Sequence, residues 1–228
     1  MLHYLLGVYW LIILQTVIFA SPTEQPIHLF GFQQIAKSPQ IYECENFLSD
    51  DECEYIISQA KPRLERSTMV DPNSSGVLIN KDRTSLGVFL SHIGDPILQK
   101  IRERIELVTE IPEENGESMQ VLYYNIGAEY KPHYDFFDPQ TPGGLIHYNR
   151  GGQRVASFLL YLNTPDKGGE TVFPRAGLKI QAKKGKAVVF YNVDNNGNTN
   201  PMSLHGGSPV IAGEKWIATI WLRESIFE

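Results

Sequence analysis

From Met119 to Arg223 the sequence breaks into short runs rich in β-branched and aromatic residues, at 120–125, 154–162, 171–173, 178–181, 187–192, 208–211 and 215–223. Gly, Pro and Asn clusters separate them. Runs this short and this closely spaced leave no room for alternating βαβ units, so they predict a sandwich or barrel of antiparallel strands. Residues 40–46 add strand character upstream. Two helices are also legible. Ser49-Asp50-Asp51-Glu52 is a capping box, and Cys53, Ile56, Ile57 and Ala60 follow at helical spacing, with Pro62 ending the segment. Asp95-Pro96 opens a second helix over 96–109, whose Ile97, Ile101, Ile105 and Val108 form one apolar stripe. The fold class is therefore α+β, mainly β, with the helices flanking from the N-terminal side.

The 228 residues suffice for one domain with a full core. Residues 2–20 carry no formal charge and are nearly all apolar. Such a run fits a cleaved signal, an uncleaved anchor or a buried helix, and the first two place the protein in the secretory pathway or export it. The expected division is 1–21 signal or membrane anchor, 22–40 linker or lead-in, and 41–228 a single domain with its β core at about 116–225. Membrane contact would run only through the first segment. A net charge of −6 argues against a nucleic-acid partner. Two cysteines cannot build a thiolate zinc site; either Cys44 and Cys53 pair in an oxidising compartment, or Cys53 is a small apolar residue on a helix. Asn73-Ser74-Ser75 is a glycosylation sequon.

Three side chains carry the candidate chemistry. In Lys131-Pro132-His133-Tyr134-Asp135 an extended backbone projects His133 and Asp135 to one face. His205 stands at the mouth of a later strand. Two histidines and one carboxylate form the facial triad of non-haem Fe(II) oxygenases, which leaves coordination positions open for O2 and a cosubstrate. Lys215 opens a strand that is apolar on both faces, Trp216, Ala218, Ile220 and Leu222 on one side and Ile217, Thr219 and Trp221 on the other. Such a lysine either snorkels to solvent or meets an anion inside. A triad nearby favours the anion.

The motifs Gln120-Val121-Leu122-Tyr123-Tyr124, Tyr130 to Asp135, Gly152-Gln153-Arg154, Tyr161-Leu162, Gly168-Gly169-Glu170-Thr171-Val172-Phe173-Pro174 and His205…Lys215-Trp216 occur in this order. From about Asn46 onward the chain thereby resembles the prolyl 4-hydroxylases, and its short form is similar to the plant, algal and viral enzymes. The resemblance implies a double-stranded β-helix (jelly roll) and an Fe(II)- and 2-oxoglutarate-dependent dioxygenase. It implies 4-hydroxylation of peptidyl proline, coupled to decarboxylation of 2-oxoglutarate to succinate and CO2, with O2 consumed and L-ascorbate keeping iron reduced. Residue by residue, it implies His133, Asp135 and His205 on iron, and Lys215, Tyr124 and Ser157 on 2-oxoglutarate. Arg83, Ser85, Tyr130, Trp221 and Arg223 would lie near the peptide, Arg223 standing where relatives often carry His. The expected partner is a Pro-rich or collagen-like substrate, handled by a monomer.

Two other functions compete: a 2-oxoglutarate dioxygenase acting on another side chain or a small molecule, and a non-catalytic jelly-roll binding module with a vestigial metal site. The Gly- and Pro-rich stretch 136–152 is expected to be a loop closing over the peptide, with His147 exposed to solvent.

Overall fold

The strand Lys215–Arg223 is buried at all nine positions, so it lies between two cores. A computed structural model describes residues 30–71, 73–74 and 76–228; the expectation for 1–21 falls outside them. In chain order the first strands are β1 (Gln33–Lys37), β2 (Gln40–Cys44), β3 (Glu65–Arg66), β4 (Met69–Val70), β5 (Val77–Leu78), β6 (Leu86–Leu90), β7 (Met119–Tyr124) and β8 (Tyr130–His133). Then follow β9 (Arg154–Tyr161), β10 (Lys167–Gly168), β11 (Thr171–Phe173), β12 (Leu178–Ile180), β13 (Ala187–Tyr191), β14 (His205–Gly207), β15 (Val210–Ala212) and β16 (Lys215–Arg223). The helices are α1 (Asp50–Ala60), α2 (Pro96–Thr109) and α3 (Pro142–Tyr148).

An eight-stranded sheet runs β1-β2-β13-β9-β16-β7-β6-β3 and faces a four-stranded sheet β12-β11-β14-β8. This is the double-stranded β-helix. Alternation along β16 sends Trp216, Ala218, Ile220 and Leu222 into an outer core with Cys53, Ile56, Ile101 and Val108 of the helices. Ile217 instead joins Leu122, Tyr124, Leu159, Phe173 and Phe190 between the sheets. The inner core carries the site, and the helices brace it from behind.

Both helices begin as their caps dictate. Ser49 accepts from the Glu52 amide while the Glu52 carboxylate accepts from the Ser49 amide, and Asp95 accepts from the amides of Ile97 and Leu98. Tyr55 donates to Asp95 across 2.8 Å, fastening one helix to the other. Arg102, buried on α2, donates to the carbonyls of Glu113, Gly116 and Glu117 and so fixes the approach to β7.

Four expectations need correction. The 22–40 lead-in is not a linker throughout, because β1 pairs with β2 at the sheet edge. Its Gln33-Gln34-Ile35-Ala36-Lys37 is largely exposed and offers no apolar alternation to read. β3 to β6 likewise extend the β structure well upstream of Met119. The run at 208–211 is strand only from Val210 (β15), and a separate short strand, β14, precedes it. The stretch 136–152 contains α3, started by the Thr141 hydroxyl accepting from Gly144. Cys44 and Cys53 are free thiols buried in the outer core, and Cys53 is the small apolar residue on a helix that its position in α1 suggests. No helix among the described residues is long and apolar enough to cross a membrane.

Candidate functional site

His133 and His205 are register partners across the β8–β14 ladder, and Asp135 sits in the bend just beyond β8. The ladder is what brings residues seventy-two positions apart within reach of one ion. Their candidate ligand atoms all lie within 4.8 Å of one another. His133 Nε2 is 3.4 Å from Asp135 Oδ1, and His205 Nε2 is 3.5 Å from Asp135 Oδ2.

Protonation decides what these contacts mean. The carbonyls of Lys131 and Ser203 lie 2.9 and 3.0 Å from Nδ1 of His133 and His205. A carbonyl only accepts, so each Nδ1 carries a proton and Nε2 is the nitrogen left to meet an ion. Burial, reinforced by His133 and opposed by Asp135, pushes His205 down to about 4, so its ring is neutral at pH 7. Burial by itself would raise the Asp135 carboxyl; His205, His133 and Arg154 outweigh it and hold the group well below the usual carboxylate range. Nε2 of each histidine and the Asp135 carboxylate thus converge on one point. A divalent cation satisfies that donor set, and the residues fit Fe(II).

Two chambers meet at this triad. The inner cavity, about 50 Å³, reaches past Tyr124, Leu159 and Thr171 to Lys215. Lys215 is 3% exposed, and among the described residues no carboxylate lies within ion-pairing distance of Nζ. Its nearest aromatic faces are those of Tyr124 and Tyr161, at 5.4 and 5.8 Å. Burial pushes the ammonium down to about 8, against a weaker opposing pull from Glu170. The Tyr161 hydroxyl donates to Thr171 Oγ1 at 2.7 Å, which leaves the Thr171 proton free for another acceptor. Burial raises the Tyr124 phenol, so it too stays a donor.

The outer chamber is a groove of about 550 Å³. Met69, Val70 and Val77 of the β4–β5 hairpin line one wall, and Thr141, Gly144 and His147 of the α3 segment line the other. Tyr130 and Trp221 stand where the chambers join. Tyr130 stacks on His133 at 3.6 Å with Arg83 over its ring, and Arg154 covers Trp221 at 3.8 Å. The floor is an ion network: Glu117 takes two hydrogen bonds from Arg154 and one from Arg223.

The structure therefore gathers His133, Asp135, His205, Lys215 and Tyr124 around the inner cavity, with Arg83, Tyr130 and Trp221 at the junction. Ser157 is a correction. Its hydroxyl donates to Asp135 Oδ2 at 2.6 Å and lines neither chamber; the threonines lining the inner cavity are Thr171 and Thr219. Ser85 is a second correction, buried against the Ser67 hydroxyl instead of facing the groove. Arg223 reaches the groove floor but is 1% exposed, held by Glu117 and the carbonyls of His147 and Gly152. His147 is half-buried, not solvent-exposed, its ring stacked on Phe137. Sequence reasoning assigned no role to Glu117, Arg154 or Thr171, although Arg154 and Thr171 lie within motifs it used.

Residues 119–223 match the profile of the 2OG-Fe(II) oxygenase superfamily. The chain is 39% identical over 222 residues to a probable prolyl 4-hydroxylase 7 of Arabidopsis thaliana, covering 87% of this chain and 69% of the relative. It is 37% identical to prolyl 4-hydroxylase 2 of the same plant, covering 96% and 79%. Among solved structures, the viral collagen prolyl hydroxylase of Paramecium bursaria Chlorella virus-1, in complex with 2OG, superposes with a TM-score of 0.59 at 31% identity, over 80% of this chain and 95% of that one. A Trichoplax adhaerens prolyl hydroxylase in complex with a hypoxia inducible factor peptide fragment shares the fold, with a TM-score of 0.57 at 17% identity over 87% and 86%.

Proposed function

The chain belongs to the prolyl 4-hydroxylases of the 2OG-Fe(II) oxygenase superfamily, and from that premise we propose how its own residues divide the work. It is an Fe(II)- and 2-oxoglutarate-dependent dioxygenase that hydroxylates proline and converts 2-oxoglutarate to succinate and CO2. The carrying observation is the pair of chambers joined at three convergent acceptors, with an unpaired buried ammonium at the closed end.

His133, Asp135 and His205 would hold the iron. Bound there, the metal supplies the redox chemistry with O2 and 2-oxoglutarate. Lys215 binds the distal carboxylate of the cosubstrate in the inner cavity, and the Thr171 and Tyr124 hydroxyls donate to it. Those three donors fix its orientation. Leu122, Leu159 and Ile217 keep water from the inner cavity, which strengthens each of these contacts. Tyr130, held by the His133 ring and the Arg83 guanidinium, and Trp221, covered by Arg154, stand fixed where a prolyl ring leaves the groove for the triad.

The substrate we propose is a proline within an extended Pro-rich peptide. A groove of about 550 Å³ far exceeds a single proline, and a polyproline-II segment enters it with little ordering entropy lost. Free proline would forgo the remote contacts that position the reacting carbon. L-Ascorbate would keep the iron reduced. The uncharged run at 2–20 and the exposed Asn73 sequon support a secretory location. Succinate release is measured with poly-proline, Pro-rich repeats of increasing length and free proline, and the products are read by mass spectrometry. Release that rises with peptide length and yields 4-hydroxyproline is expected. Equal efficiency on free proline, or oxygen only on another side chain, rejects the peptidyl-proline assignment.

A further inference from the structure

We propose that Ser157 and Asn192 form a directional hydrogen-bond relay that holds the Asp135 carboxylate in its metal-binding orientation and couples it to the segment carrying His205. The inference rests on the metal reading of the triad. Ser157 and Asn192 are fully buried, at 0% exposure each. Ser157 Oγ lies 2.6 Å from Asp135 Oδ2 and 3.0 Å from Asn192 Nδ2.

The direction of the relay follows from elementary bookkeeping of protons. As a metal ligand Asp135 acts as a carboxylate, which can only accept. The single Ser157 proton must therefore point at Oδ2. Its oxygen is then an acceptor, so the Asn192 side chain must turn its amide nitrogen toward Ser157. The opposite amide orientation would leave two acceptors facing each other. Each group has one permitted arrangement, and the chain of three is rigid.

Asn192 is itself held at both ends of its backbone. Its amide donates to Val155 on β9 at 2.8 Å, and its carbonyl accepts from Asn200 at 2.8 Å. Asn200 in turn caps the short turn Pro201–Ser203, and the Ser203 carbonyl fixes Nδ1 of His205. One continuous set of bonds thus runs from Asp135 to His205 without passing through the metal. Two ligands far apart in the chain are set against each other before any ion arrives. Oδ2 takes the serine proton and faces His205 Nε2, and Oδ1 is the oxygen turned to His133.

Ser157 and Asn192 are positioning residues, since neither touches the ion or a substrate. Groups in that place commonly change metal affinity by about 10- to 100-fold when removed. The test is titration of metal-free enzyme with Mn(II) and with Co(II), the latter also read by its visible absorption spectrum. Ser157→Ala is expected to weaken both metals by about 10- to 100-fold and to alter the Co(II) spectrum. Ser157→Thr keeps the hydroxyl and is expected to stay close to wild type. Asn192→Ala weakens binding with Ser157 intact, and so tests the relay should the serine variant fail to fold. Asp135→Ala, measured alongside, separates the two claims. If Asp135→Ala loses metal while Ser157→Ala and Asn192→Ala bind with wild-type affinity and spectrum, the relay is refuted and the triad stands. If Asp135→Ala binds metal as wild type does, the triad reading falls, and the relay with it.

Discussion

Replacing Lys215 with methionine should make the metal-free protein more stable and, in the same stroke, nearly blind to 2-oxoglutarate. The two effects have one cause. A buried ammonium pushed down to about 8 corresponds to about 3 kcal/mol of free energy opposing a charge at that position. Methionine keeps most of the stem volume and removes the charge, so up to that amount returns to the folded state. In a domain of this size about 1 kcal/mol moves the melting temperature by roughly 2–4 °C. Loss of the carboxylate's partner costs about 2–5 kcal/mol in cosubstrate binding, roughly thirtyfold to several thousandfold. Thermal melts of both proteins with and without 2-oxoglutarate, together with cosubstrate KM at saturating iron, measure the two quantities side by side. The pH dependence has a definite sign. The unfolded chain keeps its lysine proton to about pH 10.4, whereas the folded protein releases it near 8. Between those values the unfolded state binds more protons, so wild-type stability rises with pH there and the advantage of the variant shrinks. Below about 8 the penalty is fully present, and the advantage is greatest. A lowered melting temperature together with an unchanged cosubstrate KM would refute the reasoning and make Lys215 a structural residue.

Three further outcomes follow from the site. His133→Ala, Asp135→Ala and His205→Ala each remove one of only three protein ligands, so each should lose turnover while circular dichroism stays native; appreciable activity under controlled metal would release that residue from the metal. Gly143→Ala puts a Cβ against the Asp71 carbonyl oxygen and within 2.8 Å of that of Ser74, forcing α3 off the β4–β5 hairpin. Peptide KM should rise with cosubstrate KM unchanged, and a rise in both would show that the damage spreads beyond the groove wall. Glu117→Gln leaves Arg154 and Arg223 without their buried counter-charge, an imbalance of about 3–5 kcal/mol; denaturant unfolding should register it, and a loss below about 1 kcal/mol would mean that solvent reaches the network.

What was legible in the sequence is what local pattern can encode. The α2 boundaries follow from Asp95, Pro96 and an apolar stripe, and they match the observed helix at both ends. His133 and Asp135 were readable because two residues suffice to put two ligands on one face. Glu117 had no such signal. Its partners lie 37 and 106 positions away, and only the closed fold shows that a carboxylate in a polar turn is buried between two guanidinium groups. Ser157 and Thr171 were confusable for a related reason. Both are strand hydroxyls near the same cavity, and the depth of each depends on how β9 and β11 sit relative to Asp135. The registers that decide it pair β9 with β16 and β11 with β14, which no single strand contains.

β16 shows how far one strand can order a reaction. Along its inner face Lys215, Ile217, Thr219 and Trp221 line the inner cavity, and Trp221 and Arg223 continue into the groove. Eight residue-to-residue steps of extended chain lead from Lys215 to Arg223, about 26 Å at the usual rise per residue. Inner cavity, junction and groove floor are therefore met in sequence along a single ruler. Its neighbours β7 and β9 hold that ruler on both edges. A slip of one residue would turn Lys215 and Trp221 into the helix-facing core and bring Trp216 and Ala218 to the cavity. The outer core packed against Trp216, Ile220 and Leu222 resists that slip. Packing remote from the triad thus fixes where the inner cavity ends and the groove begins.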